Sequence, residues 1–251
     1  MGRWLVVLEA FARTSEWGVR DLAAHTGLSR SAVHRIVREM LDLGLLSVSP
    51  TPGRSVVGPA LSALAIRLTE GSDVIRVARV SLDELRDETG ETAILALYDR
   101  SRRQFRAVAA SESAHPIRYI WESLQGWQDL HRGASGKGIL AFLPGSEREA
   151  ILDALPDQLD GAEVTTKARL RRQLEQARAD GYLISHGDRY PGAVGVAAPI
   201  RDAGGRVIGE VLLGWPDNRN DPGKEASVAR AAVSAALRIS RALGQREGET
   251  I

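Results

Sequence analysis

Between residues 19 and 58 a short helix, a glycine turn, a capped helix and a Gly/Pro hairpin follow one another, and few folds accept that order. Val19 to Thr26 reads as a helix with Leu22 and Ala23 facing inward, after a loop that contains Gly18. Gly27 supplies the left-handed residue that stops it, and Ser29 offers an N-cap for the next helix. In that helix Val33, Ile36, Val37, Met40 and Leu41 recur at i, i+3, i+4, i+7 and i+8, forming one apolar stripe. The opposite face carries Arg30, Ser31, His34, Arg35 and Arg38, each able to donate to a phosphate or a base edge. Glu39 and Asp42 come only in the last turns, away from the end that enters a major groove. Leu45 to Val48 and Arg54 to Val57 flank the turn Ser49-Pro50-Thr51-Pro52-Gly53 and predict a two-stranded wing with Arg54 near its tip. Trp4, Leu5, Val7, Leu8 and Phe11 predict an earlier helix over residues 3 to 13, and with Met1 directly before it no minor-groove arm is expected. An isolated basic helix reads more simply as a solvated face; the ordered combination predicts a winged helix-turn-helix. Its candidate DNA contacts are Ser29, Arg30, Ser31, His34, Arg35, Arg38 and Arg54.

Whole-chain charge hides this module. Lys+Arg 33 against Asp+Glu 32 leaves a formal net charge of +1, whereas residues 3 to 58 hold seven Arg, no Lys and five acids. The absence of cysteine excludes disulfides, thiolate metal sites and a cysteine nucleophile, and the five His show no metal-ligand spacing. No metal, cofactor or catalytic residue is expected. The longest apolar stretches are about six residues, against roughly 20 needed to span a bilayer, so the expectation is a cytoplasmic protein with no membrane partner.

After the wing, Leu61, Leu64, Ala65 and Leu68 predict a linker helix from Pro59 that ends near Gly71-Ser72. A second helix runs from Val74 to Thr89, where Gly90 ends it. The pattern then turns extended: residues 92–98 and 104–110 flank a charged turn, and residues 193–200 and 207–214 flank a turn containing Gly204-Gly205. Helices are expected over 136–143, 146–155, 167–180 and 224–243. Hairpin strands interrupted by helices describe an α+β domain. The expected organisation is a DNA-binding module over 1–58, a linker over 59–73 and a larger domain over 74–251.

The run from Leu130 to Pro144, LHRGASGKGILAFLP, resembles the signature stretch of the IclR family of bacterial transcriptional regulators. Thr89-Gly90-Glu91-Thr92, Asp180-Gly181-Tyr182 and Ala197-Ala198-Pro199-Ile200 match in the same order. The resemblance implies an N-terminal winged helix-turn-helix joined to a C-terminal GAF-like domain that binds a small-molecule effector. It also implies a homodimer or homotetramer on double-stranded, palindromic operator DNA.

Carried over residue by residue, the resemblance puts the effector near Ala134 and Ser135, whose backbone N–H groups precede a helix N-terminus that favours an anion. The same turn also reads as a helix start alone. Lys137 reads as an anion ligand or as a structural partner; it belongs to no P-loop, since Gly138 stands where Ser or Thr would hold magnesium. The stretch from Ser185 to Gly195 supplies Ser185, Asp188, Ala193 and Gly195, and the following strand supplies Leu212 and Gly214. Ser185 replaces the family's usual first acid, Gly195 stands at a common cysteine position, and Leu212 and Gly214 replace serines of members that sense small oxo-acids. These departures, with Tyr98, Trp121, Trp127 and Trp215 nearby in sequence, imply a larger or more aromatic acid, although each aromatic also reads as core.

The expected function is a regulator without catalytic activity whose operator affinity an effector controls. Two winged modules held about one helical turn of DNA apart would engage both half-sites, with residues 59–70 setting the separation. Two alternatives use the same residues. One is an enzyme with His131, or His186 and Asp188 on one strand face, as acid/base groups. The other is a ligand-binding module whose helix-turn-helix serves only dimerisation.

Overall fold

In the computed structural model, which describes residues 2–70, 73–159 and 165–245, the chain divides into two units, Met1–Ser72 and Asp73–Ile251. The first contains α1 (Arg3–Arg13), β1 (Glu16–Gly18), α2 (Val19–Thr26), α3 (Arg30–Asp42), β2 (Leu46–Val48), β3 (Arg54–Val57) and α4 (Pro59–Glu70). Gly27 closes α2 at φ 70°, and the Ser29 side chain accepts from the Ala32 amide to open α3. Val33, Ile36, Val37 and Met40 are at most 5 % exposed and share a core with Val7, Phe11, Leu22 and Leu46. Burying each such side chain stabilises the unit by about 1.5–3 kcal/mol.

β1 is too short to show a two-residue period, and the sequence does not predict it. It makes the wing a three-stranded sheet of order β1-β3-β2, and the Trp17 indole N–H donates to Ala10 O at 2.9 Å, tying that strand to α1. α4 falls within this unit, and the Ala60 amide donates to Gly44 O at 3.1 Å, tying its first turn to the loop after α3. The Gly71-Ser72 stop lies outside the described residues.

The second unit contains α5 (Asp73–Thr89), β4 (Thr92–Asp99), β5 (Gln104–Ser111), β6 (Gln128–Asp129), α6 (Ala134–Phe142), α7 (Gly145–Asp153), β7 (Gln158–Leu159), β8 (Thr165–Thr166), α8 (Lys167–Asp180), β9 (Leu183–His186), β10 (Ala193–Arg201), β11 (Val207–Pro216) and α9 (Pro222–Ala242). Six strands form an antiparallel sheet of order β6-β5-β4-β11-β10-β9. Alternation divides its side chains between two layers. Leu95, Val194, Val196, Val211, Leu213 and Trp215 pack with Leu82 and Leu85 of α5 and Ala232, Ala235 and Ile239 of α9. Ile94, Ala96, Ala197 and Leu212 pack on the other face with Ile139 and Leu140 of α6 and Leu170 and Leu174 of α8. Gly195 pairs with Gly214 in register, so two residues without side chains lie side by side on the α6 face.

The Thr89-Gly90-Glu91-Thr92 motif has a structural role here. The Glu91 carboxylate is fully buried and receives both Arg219, at 2.6 Å, and Lys224, at 2.5 Å, tying the start of β4 to the start of α9. Removing one partner of such an ion pair would leave an uncompensated buried charge. Among the described residues no helix is long and apolar enough to cross a membrane.

Candidate functional site

The first turns of α3 carry no acid on their outer face, and the exposed Glu39 and Asp42 come only at its end. Arg30, Ser31, His34, Arg35 and Arg38 are exposed, and among the described residues none of these three arginines makes an ion pair. Ser29 is exposed too, but its hydroxyl caps the helix and contacts Ser31 Oγ at 3.1 Å. Arg54 differs from the expectation of a free donor at the wing tip. Its Nη2 sits 3.1 Å from Asp21 Oδ2, because β3 pairs with β1 and brings Arg54 beside the start of α2.

In the second unit, Ala134, Ser135, Ser185, Asp188, Ala193, Gly195, Leu212 and Gly214 all border one cavity of about 20 Å³. Glycines allow this convergence. A Cβ on Gly195 would lie 2.9 Å from Ala134 Cβ, and one on Gly138 would lie 2.5 Å from Ala197 Cβ, so α6 rests directly on β10. Helical geometry begins later than the sequence suggests: Ser135 is extended and Gly136 adopts φ 89° and ψ −55°. The Gly136 amide donates to Glu210 Oε1 at 3.0 Å, so the entrance of α6 already holds a carboxyl group of the chain itself.

Three charged residues decide the electrostatics. Lys137 is 2 % exposed, with Nζ 2.6 Å from Asp188 Oδ2 and 2.9 Å from Gln173 Oε1; this is its structural role, and it also engages the acid that the sequence offered for an effector. Glu210 is fully buried, its Oε2 has no partner, and burial pushes its carboxyl up to about 8. Arg189 Nη1 donates to Gln128 Oε1 and Nη2 to Arg132 O, both at 2.9 Å, whereas its Nε is buried without a partner. Burial lowers the Arg189 pKa from its ordinary value, and among the described residues no carboxylate pairs with it. A half-buried guanidinium with its buried Nε donor unspent is suited to receiving an acid.

Several expectations change. His186 Nε2 lies 2.6 Å from Glu225 Oε1, and β9 ends at His186 before Gly187 at φ 72°, so His186 and Asp188 do not share a strand face and form no acid/base unit. Tyr98 donates to Glu147 at 2.9 Å, Trp121 donates to Glu112 at 3.2 Å, and Trp127 stacks under Arg102 and Arg106. Trp215 is fully buried on the opposite sheet layer. None of these four borders the cavity; its aromatic residues are Tyr119 and Tyr190. Sequence reasoning missed both, together with Gly133 and Arg189. Arg189 was legible as a basic residue in a stretch that is usually acidic, whereas Tyr119 lies in an irregular segment with no period to betray it.

Comparison with known proteins identifies the family. The model of the IclR helix-turn-helix domain matches residues 2–50, and that of the bacterial transcriptional regulator IclR C-terminal domain matches residues 66–241. The glycerol operon regulatory protein of Streptomyces griseus is 28% identical over 230 residues, covering 90% of this chain and 89% of that protein. The regulator XynR of Escherichia coli is 26% identical, covering 96% of each chain. Among solved structures, an IclR homologue of Microbacterium hydrocarbonoxydans complexed with 4-hydroxybenzoate superimposes with a TM-score of 0.78 at 26% identity, covering 96% of this chain and 97% of that one. An IclR regulator of Alicyclobacillus acidocaldarius has the same fold, with a TM-score of 0.81 at 22% identity and the same coverage. With both family models matched in order, a winged helix-turn-helix first and a six-stranded α+β unit behind it, the chain belongs to the IclR family of bacterial transcriptional regulators.

Proposed function

We propose that α3 of this regulator enters the major groove of its operator with Arg30, Ser31, His34, Arg35 and Arg38, and that the cavity beside Arg189 takes an organic acid that controls operator affinity. The face of α3 supports the first part: its three arginines are exposed and carry no intramolecular counter-charge among the described residues. Arg54, held by Asp21, contributes less. The observation that carries the second part is Arg189, a half-buried cation with a buried, unpartnered Nε and, among the described residues, no carboxylate partner, at the rim of a cavity. The Microbacterium relative that holds 4-hydroxybenzoate supports an acid as the ligand class. Ala134, Ser135, Ser185, Ala193, Gly195, Leu212 and Gly214 form the walls; Asp188 acts through Lys137. The chain works as a homodimer or homotetramer, since a palindromic operator presents two half-sites about 34–36 Å apart, and it does so in the cytoplasm with no enzymatic step.

Fluorescence anisotropy with the upstream intergenic DNA tests both halves. The logarithm of affinity should fall linearly with the logarithm of salt, and Arg35→Ala should reduce the magnitude of that slope by about one if it contacts a phosphate. An acid from a panel of aromatic and aliphatic carboxylates should shift operator affinity in the wild type and not in Arg189→Gln. Binding that ignores salt would refute the DNA reading; an equal response of Arg189→Gln would refute the cavity reading.

A further inference from the structure

We propose that Tyr119 is a removable plug: its phenol ring fills the place of the effector's ring, and the effector is therefore a ring-bearing acid that enters only when Tyr119 swings out. This rests on the reading of the Arg189 cavity as the effector site. Gly214 forms the floor of the slot. A Cβ there would lie 2.6 Å from Tyr119 Cδ2 and 2.8 Å from Cγ, so the ring lies on bare backbone that only glycine leaves open. What remains is about 20 Å³. That is room for one water, which needs about 10–15 Å³, and far from the roughly 150 Å³ in which benzene binds. No ring acid enters unless something leaves.

Tyr119 is the group that can leave. It stands, with Tyr190 and Ala193, between the cavity and a groove of about 400 Å³ that is bordered by Ile117 and Ile120. The groove is large enough to receive the phenol. Ile117 and Ile120 are 65% and 62% exposed, so apolar surface is already present on the side into which the ring would move. Between Ser111 and Trp121 the chain forms neither helix nor strand, and no backbone ladder resists the motion. Among the described residues the Tyr119 hydroxyl makes no hydrogen bond; the residue is held through its carbonyl, which accepts from Thr92 Oγ1 at 3.4 Å. Its ring contacts Tyr190 edge-on, with centroids 6.1 Å apart. An incoming aromatic ring in the same slot would inherit that contact, while an aliphatic oxo-acid would not. Apparent affinity then equals intrinsic affinity reduced by the fraction of molecules in which the slot is vacant.

Titration calorimetry of the full chain with benzoate, 4-hydroxybenzoate and pyruvate tests this. Tyr119→Ala, and Tyr119→Leu as a variant that keeps apolar packing without the ring, should bind benzoate at least tenfold more tightly than the wild type. Tyr119→Phe, which keeps the plug, should stay within threefold. Gly214→Ala should lose benzoate binding, because its methyl group occupies the slot. Benzoate affinity that is unchanged in both Tyr119→Ala and Tyr119→Leu, yet still falls in Arg189→Gln, would overturn the plug and leave the acid site standing. Binding of pyruvate alone would overturn the ring-bearing class. Failure of all three acids in every variant would sink the plug and the effector reading together.

Discussion

Glu210 should hold a proton at neutral pH and lose it near pH 8, and that one ionisation should make the second unit less stable as the pH rises. The carboxyl is fully buried, its Oε1 receives the Gly136 amide, and its Oε2 meets no partner. Burial raises it from 4.5 to about 8 in the fold. A folded-state value above the unfolded one means the native state binds more protons within that window. The stabilisation is therefore complete below pH 4.5, declines by about 1.4 kcal/mol per pH unit, and is gone above pH 8, as much as about 5 kcal/mol in all. Glu210→Gln keeps the acceptor for Gly136 and cannot ionise. Its stability should therefore stay nearly level where that of the wild type falls, so the wild type should lose about 3 kcal/mol against the variant between pH 5.5 and 8. Urea unfolding at fixed protein concentration measures this, in a Trp4→Phe/Trp17→Phe background that leaves Trp121, Trp127 and Trp215 as reporters of the second unit. His131, which burial holds below its ordinary 6.5, contributes a slope of opposite sign below that pH, so the difference between the two proteins is the quantity to follow. Stability curves that run parallel from pH 5.5 to 9 would refute the reasoning.

Lys137→Met should destabilise the second unit by about 3 kcal/mol, since it strands Asp188 beside a buried site, and Lys137→Met/Asp188→Asn should recover most of that in the same assay. A double variant no more stable than the single one would deny that the pair is the cause. Gly136→Ala should cost about 3 kcal/mol or more: φ is 89°, and a Cβ would approach Phe105 Cε1 to 2.8 Å and Leu130 Cα to 3.0 Å. An unshifted melting temperature would show that the turn relaxes. Arg54→Ala should change stability by less than about 1 kcal/mol, because its ion pair is exposed, and should weaken operator binding less than Arg35→Ala does. Equal losses of DNA affinity would place Arg54 on the phosphates after all.

Which parts were legible in the sequence follows from how local their causes are. The bounds of α2 and α3 depend on Gly27 and Ser29, residues whose backbone preferences act within one turn, so both are legible from the sequence alone. Hairpins announced by Gly204-Gly205 and by the charged run after Asp99 were equally local. β1 was hidden because its three residues are extended only by pairing with β3, forty positions away. The cavity walls were legible through family resemblance, yet their electrostatics were not. Lys137 meets Asp188 across 51 positions and Gly136 meets Glu210 across 74, and no periodicity signals such pairs. The aromatic residues chosen by nearness in sequence failed for the same reason: alternation along β11 sends Trp215 to the layer opposite Gly214.

Glu210 and Arg189 belong to one design. The charge of Glu210 acts weakly on Arg189, with no ion pair between the two among the described residues, so an ionised Glu210 would partly offset that cation from within. Because burial keeps Glu210 protonated below pH 8, Arg189 retains a net positive charge inside the protein at neutral pH. Folding has already taken the Arg189 Nε out of water, so an arriving carboxylate meets only part of the guanidinium's desolvation cost. Under the proposed reading, an acid in this cavity would be selected twice, by its ring against Gly214 and by a charge that the neighbouring Glu210 leaves unanswered. Above pH 8 the same Glu210 would compete with the effector for Arg189, and affinity for an acid should fall there although both the ligand and Arg189 keep their charge.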